Sequence, residues 1–209
     1  MLKAVLFDFD GTLADTGHIM FKAYEKLGDK YELPAVNHDE IDQIRALSIR
    51  DRFKKAGVPI FKMPAILRET KQVYADHINT AKPFPGSAEL LKSIKDRGLL
   101  LSIISSNTEK NIISFLTAHK LDYFDHIRTT SSLFGKHRAI KGFLNELRLK
   151  PEEAIYIGDE LRDIIACKKV PIRVVAVTWG YDHITLLKDA KPDFLAEKPD
   201  DILAVLDEL

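Results

Sequence analysis

The 209-residue chain has one cysteine, Cys167, so an intramolecular disulfide is excluded and a reducing compartment suits it. It also lacks an excess of either charge, with 31 Lys and Arg against 31 Asp and Glu. No surplus of positive charge exists to condense on nucleic acid or an anionic membrane, so neither is expected as a partner. Long apolar runs are missing as well. The longest, Leu2 to Phe7 and Leu99 to Ile104, fall far short of the roughly 18 residues of a membrane span. Asp8 and Asp10 interrupt the first run at once, so no secretory signal is expected. Internal repeats and low-complexity tracts are absent. A hydrophobic share of 45% is too high for a disordered chain, and this length buries a core without a disulfide or metal staple. The expectation is a cytoplasmic globular protein.

What is present is an alternation of short apolar runs with helical patterns. Leu2 to Phe7, Leu99 to Ile104, Glu153 to Ile157 and Arg173 to Thr178 read as strands, and His126 to Thr130 as a further candidate. Ser87 to Arg97 reads as a helix closed by Gly98. Apolar runs separated by helices imply an α/β fold, a Rossmann-like parallel sheet with helices on both faces. One stretch breaks the pattern. From Thr16 to Ala81 only helical periodicity appears, over Ile19 to Leu27, His38 to Ala56 and Pro64 to Thr80, with turns at Pro34, Gly57 and Pro59. This divides the chain into a core of 1–15 and 82–209 and a small helical cap of 16–81 inserted after the first strand, hinged near Asp15 and near Lys82 to Gly86.

Carboxylates stand at two strand ends, in Asp8-Phe9-Asp10-Gly11-Thr12 and in Gly158-Asp159-Glu160-Leu161-Arg162-Asp163. Ligands of parallel sheets bind beyond the carboxyl ends of the strands. A lone Asp there is most often a helix cap, but two clusters in one sheet repel each other unless a cation intervenes. Oxygen donors of this kind point to Mg²⁺. Because the chain turns at Gly11, Asp8 and Asp10 can divide roles, one as nucleophile and the other handling protons. Ser105-Ser106-Asn107 ends a strand and opens a helix, a place for a phosphate or simply a helix cap. Lys136 opens a later helix after Phe134-Gly135, and taken alone it reads as a solvated charge.

Together these residues resemble the four motifs of the haloacid dehalogenase-like hydrolase superfamily, in family order and across essentially the whole chain. Phe134-Gly135-Lys136, Ile157-Gly158-Asp159-Glu160 with Arg162-Asp163, and Val177-Thr178-Trp179-Gly180 are similar to its phosphoglycolate phosphatase-like branch. The resemblance implies that Asp8 is the nucleophile that becomes an aspartyl phosphate and that Asp10 is the acid and base. It implies Mg²⁺ on the Asp8 carboxylate, the Asp10 carbonyl and Asp159, with Asp163 or Glu160 in support. Ser105, Ser106 and Lys136 would hold the phosphoryl group, and Gly11 and Thr12 would shape the loop. The implied partner is a small phosphorylated metabolite, with monomer and homodimer both open.

Rival readings are weaker. Dehalogenases and phosphonate hydrolases of this superfamily lack an acid at the position of Asp10. Pyrophosphate hydrolysis and a β-phosphoglucomutase-type transfer remain alternatives, whereas a non-catalytic phospho-ligand binder would be expected to have lost Asp8 or Asp10. Arg45, Arg50 and Lys54 of the cap are read as a solvated helix face rather than as substrate contacts, and none of the seven histidines falls on a motif.

Overall fold

A computed structural model describes residues 1–130 and 135–209; Phe134 of the third motif lies outside them. The expected strands form β1 (Ala4–Phe7), β4 (Leu100–Ser105), β5 (His126–Thr129), β6 (Ala154–Gly158) and β7 (Arg173–Val177). With β8 (Phe194–Ala196) they make one parallel sheet in the order β5-β4-β1-β6-β7-β8. The strand that becomes β8 escaped sequence reading because three residues carry no measurable alternation.

The central strands read as unbroken apolar runs because both their faces are covered. Phe7, Ile103, Ile157 and Val175 pack toward α5 (Ser87–Asp96), α6 (Glu109–His119) and α10 (Pro199–Asp207). Leu6, Ile104, Tyr156 and Val174 pack toward α7 (Lys136–Glu146), α8 (Leu161–Lys169) and α9 (Ile184–Asp189). β1 lies between β4 and β6, so the loop after it opens at the middle of the carboxyl edge. No described helix is long and apolar enough to cross a membrane.

Two short strands, β2 (Ala14–Asp15) and β3 (Lys82–Pro83), pair antiparallel at the positions read as hinges. Between them lie α1 (Gly17–Tyr31), α2 (Ile41–Arg45), α3 (Ile49–Lys55) and α4 (Met63–His77), joined by turns and single 3₁₀ turns. Leu27, Val58 and Ile66 form a small apolar cluster of their own. Ile19, Tyr74 and Ile78 instead join the cluster on the sheet, so the base of this segment shares the main core. The helical pattern expected over His38 to Ala56 is divided. Ser48 takes an extended conformation and accepts a hydrogen bond from the Asp51 amide, so it caps a new helix rather than continuing α2.

Ser102 of β4 is fully buried, and its hydroxyl has no hydrogen-bond partner among the described residues. A buried hydroxyl without a partner is a net cost of about 1–3 kcal/mol. Ser102→Ala is therefore expected to raise the melting temperature, and a lower one would show that the hydroxyl is satisfied.

Candidate active site

The site is built around the turn that follows β1. Phe9 is fully buried and meets Phe115 edge to face at 5.1 Å, which anchors the chain between the two aspartates. The Phe9 carbonyl accepts the amides of Leu13 and Ala14, each at 3.0 Å, and folds the loop back. Gly11 meets this demand with φ +75°. The Asp8 carboxylate accepts the Phe9 amide at 2.7 Å on one oxygen and Lys136 Nζ at 2.6 Å on the other.

Lys136 is no solvated charge. It is 1% exposed, and its ammonium also donates to Asp163 at 2.5 Å and sits 5.5 Å from the ring of Tyr156. Tyr156 is held in turn by a 3.0 Å bond from its hydroxyl to the Ile104 carbonyl. Burial opposes the charge on Lys136, but Asp163 and Asp8 together hold its pKa above the usual lysine value. The second Asp163 oxygen accepts the Glu160 amide at 3.3 Å and so caps α8.

Asp159 stands beside this group. Its oxygens accept Thr12 Oγ1 and the Tyr181 amide, both at 2.7 Å. Backbone closes on it from two sides: a Cβ on Gly11 or on Gly180 would fall 2.2 Å from its Oδ2. Burial first, then Glu160, Asp8 and Asp163, push its pKa well above the usual carboxylate value. Asp163 is raised to about 7 by burial, against the pull of Lys136.

Asp10 occupies a different environment. It accepts Asn107 Nδ2 at 3.0 Å, Thr16 Oγ1 at 3.2 Å and the Tyr74 hydroxyl. Burial raises its pKa, the Tyr74 hydrogen bond lowers it and Asp8 raises it again, leaving it at about 6. Ser105 Oγ accepts the Asn107 amide at 3.1 Å, and Ser106 Oγ accepts Arg162 Nη1 at 3.3 Å.

Asp8, Asp159, Glu160 and Asp163 are all buried here, with Lys136 and Arg162 as the cations among them. Negative charge is in excess, and the donors are hard oxygens, a set that fits Mg²⁺. Among the described residues, one oxygen each from Asp8, Glu160 and Asp163 lies within 4.8 Å of the others. This trio differs from the expected set in having Glu160 and Asp163 where Asp159 was placed. Asp159 stands beside the trio, with its oxygens accepting Thr12 Oγ1 and the Tyr181 amide.

Sequence reasoning missed Thr16, Tyr74, Tyr181 and the roles of Asn107 and Arg162. Tyr74 carried only a helical-period signal, and Tyr181 sits one residue past the last quoted motif. Arg45 also departs from its reading as a solvated residue: its Nη2 donates to the Gly180 carbonyl at 2.8 Å and its Nε to that of Tyr181 at 3.1 Å.

The close approach at Gly180 yields a prediction. Gly180→Ala overpacks Asp159 and is expected to cost about 1–3 kcal/mol of stability together with activity. Thermal denaturation and turnover unchanged from the parent would refute the contact.

The chain is 31% identical over its whole length to a phosphoglycolate phosphatase of Synechococcus elongatus, of which it covers 99%. It is 25% identical, again over its whole length, to the pyrophosphatase PpaX of Bacillus cereus, of which it covers 98%. The fold matches that of a haloacid dehalogenase-like hydrolase from Streptococcus pneumoniae with a TM-score of 0.82 over 98% of each chain, at 24% identity. A family model described as haloacid dehalogenase-like hydrolase matches residues 5–177. With the strand-end carboxylates, the buried lysine and the parallel sheet in the positions described, the chain belongs to the haloacid dehalogenase-like hydrolase family, among its phosphatases.

Proposed function

We propose that the chain is a Mg²⁺-dependent phosphatase that hydrolyses a small phosphate monoester of the phosphoglycolate type through a phosphorylated Asp8. The observation that carries this reading is the contrast between two aspartates two residues apart. Asp8 is paired with a buried ammonium, whereas Asp10 is caged by neutral donors at a pKa of about 6. Environments that separate two carboxyl groups in this way separate a nucleophile from an acid and base.

In the first step an Asp8 oxygen attacks phosphorus and the bond to the ester oxygen breaks, while Asp10 gives that oxygen its proton. In the second, Asp10 takes a proton from water, the water oxygen attacks phosphorus, and the bond to Asp8 breaks to release phosphate. Lys136 counters the negative charge that carboxylate and phosphate bring together. Ser105 and Ser106 offer hydroxyl donors to the phosphoryl oxygens, and Thr12 and Gly11 hold Asp159 in place. The Asp8 carboxylate, the Asp10 carbonyl and Asp159, backed by Asp163 or Glu160, would hold Mg²⁺, which supplies further charge neutralisation. In this proposal residues 16–81 act as a cap that shelters the site and meets the leaving group.

The identity to a phosphoglycolate phosphatase supports that substrate class, and the likeness to a pyrophosphatase makes pyrophosphate the competing compound. Phosphate release from phosphoglycolate, pyrophosphate, sugar phosphates and nucleotides, with Mg²⁺ and with EDTA, tests both. We expect metal-dependent release with phosphoglycolate preferred; preference for pyrophosphate would transfer the assignment, and release unaffected by EDTA would remove the metal from it.

Two substitutions test the roles. Asp8→Asn is expected to abolish turnover with the fold retained by circular dichroism. Asp10→Asn is expected to lower kcat by about 10²–10⁴, the range of acid–base assistance. Normal turnover in Asp8→Asn would sink the nucleophile assignment.

A further inference from the structure

The turn at residues 180–183, which follows β7, touches more of the site than any motif in the sequence announces. Tyr181 alone makes three connections. Its amide donates to Asp159 Oδ2 at 2.7 Å, its carbonyl accepts Arg45 Nε at 3.1 Å, and its hydroxyl meets Thr16 Oγ1, which itself donates to Asp10. Asp182 makes two. One oxygen is paired with Arg52, and the other accepts the Leu161 amide at 2.7 Å, at the first residue of α8 beside Glu160.

From the other side, among the described residues, the grip comes from the inserted helices. Arg45 ends α2 and holds the carbonyls of Gly180 and Tyr181, and its own carbonyl accepts the His183 amide at 3.0 Å. Arg52 of α3 reaches Asp182 while its Nε donates to the Ile44 carbonyl at 3.0 Å and its Nη2 to that of Arg45 at 3.1 Å. The Arg52–Asp182 pair is largely withdrawn from water, with Asp182 only 6% exposed in its side chain. Two guanidinium groups thus lock α2, α3 and the turn into one hydrogen-bonded unit, with planar forks suited to multiple carbonyl acceptors.

We propose that Arg45 and Arg52 are positioning residues, and that the 180–183 turn is a relay through which the inserted helices set Asp159 and the first turn of α8. When the cap is seated, Tyr181 presents its amide to Asp159 and Asp182 fixes Leu161, so the carboxylates are aligned to receive the cation. When the cap is withdrawn, the turn loses its anchors and the carboxylates lose their orientation. Site assembly and cap seating become one event. The relay rests on the reading of Asp159 and Glu160 as cation-holding groups, and the test separates the two claims.

The full-length chain and its Arg45→Ala, Arg52→Ala and Asp182→Asn variants are compared by two measurements. Calorimetric titration with Mg²⁺ alone should show affinity falling by about tenfold in each variant, the size typical of losing a group that orients a ligand. Amide hydrogen exchange should show the Tyr181 and Leu161 amides opening about tenfold faster, with β1 amides unchanged. The Arg52→Ala and Asp182→Asn effects should also combine less than additively, since they break the same pair. Unchanged exchange at Tyr181 and Leu161 would overturn the relay, and so would equal acceleration in β1, which marks plain destabilisation. If the parent chain fails to bind Mg²⁺, the metal reading falls and the exchange data alone decide the relay.

Discussion

Four carboxylates buried within reach of one another are the constraint to which the rest of the structure responds. Each is costly to bury alone, and together they raise one another's pKa unless cations intervene. The ammonium of Lys136 is the internal answer, bonded to Asp8 and Asp163 at once. Its position is possible because β1 and β6 are neighbours in the sheet, so the turn after β1 and the start of α8 open side by side. Tyr156, directly beneath on β6, receives the lysine on its ring and keeps its own hydroxyl on the Ile104 carbonyl. Strand order, helix start and a single aromatic side chain therefore converge on one charge.

That answer is incomplete by design of the site. Lys136 and Arg162 leave negative charge in excess, and Asp159 and Asp163 remain raised above the ordinary carboxylate range. In the proposed function a bound cation would complete the neutralisation of this site before an anionic substrate enters it. Asp10 stands apart because Tyr74, Asn107 and Thr16 satisfy it with neutral donors. The two aspartates differ in partners far more than in sequence context.

Much of this was legible before any coordinates. The central strands declared themselves because burial on both faces leaves no polar residue to break the run, and Asp8, Asp10, Asp159 and Asp163 stood out as charges at the ends of those runs. The helices between β2 and β3 showed as a stretch with helical period and no strand. What stayed hidden has a common physical reason. Tyr74 lies on α4, sixty-four residues from Asp10, and nothing in a helical pattern marks which tyrosine will meet a carboxylate. β2 and β3 are two residues each, too short for a period, and become visible only as a pair. Arg45 reads as solvated because a lone basic residue usually is, as Lys136 does when taken apart from its motif, and only the fold shows what each one meets.

The same contrast separates the two ways in which this chain ties distant segments together. Lys136 joins the motifs by charge, through bonds that any cation of the right reach must make. The 180–183 turn joins them largely by backbone: the Tyr181 amide donates to Asp159 and the Gly180 and Tyr181 carbonyls accept Arg45, while the Asp182 side chain accepts the Leu161 amide. Backbone contacts leave almost no signature in residue identity, except where a side chain would collide, as at Gly180 against Asp159. Gly180 was visible in the sequence as part of a motif, yet its reason was not, because the atom it makes room for belongs to a residue twenty-one positions earlier. Conserving space around a carboxylate and holding that carboxylate by an amide are two halves of one constraint, and the turn after β7 supplies both.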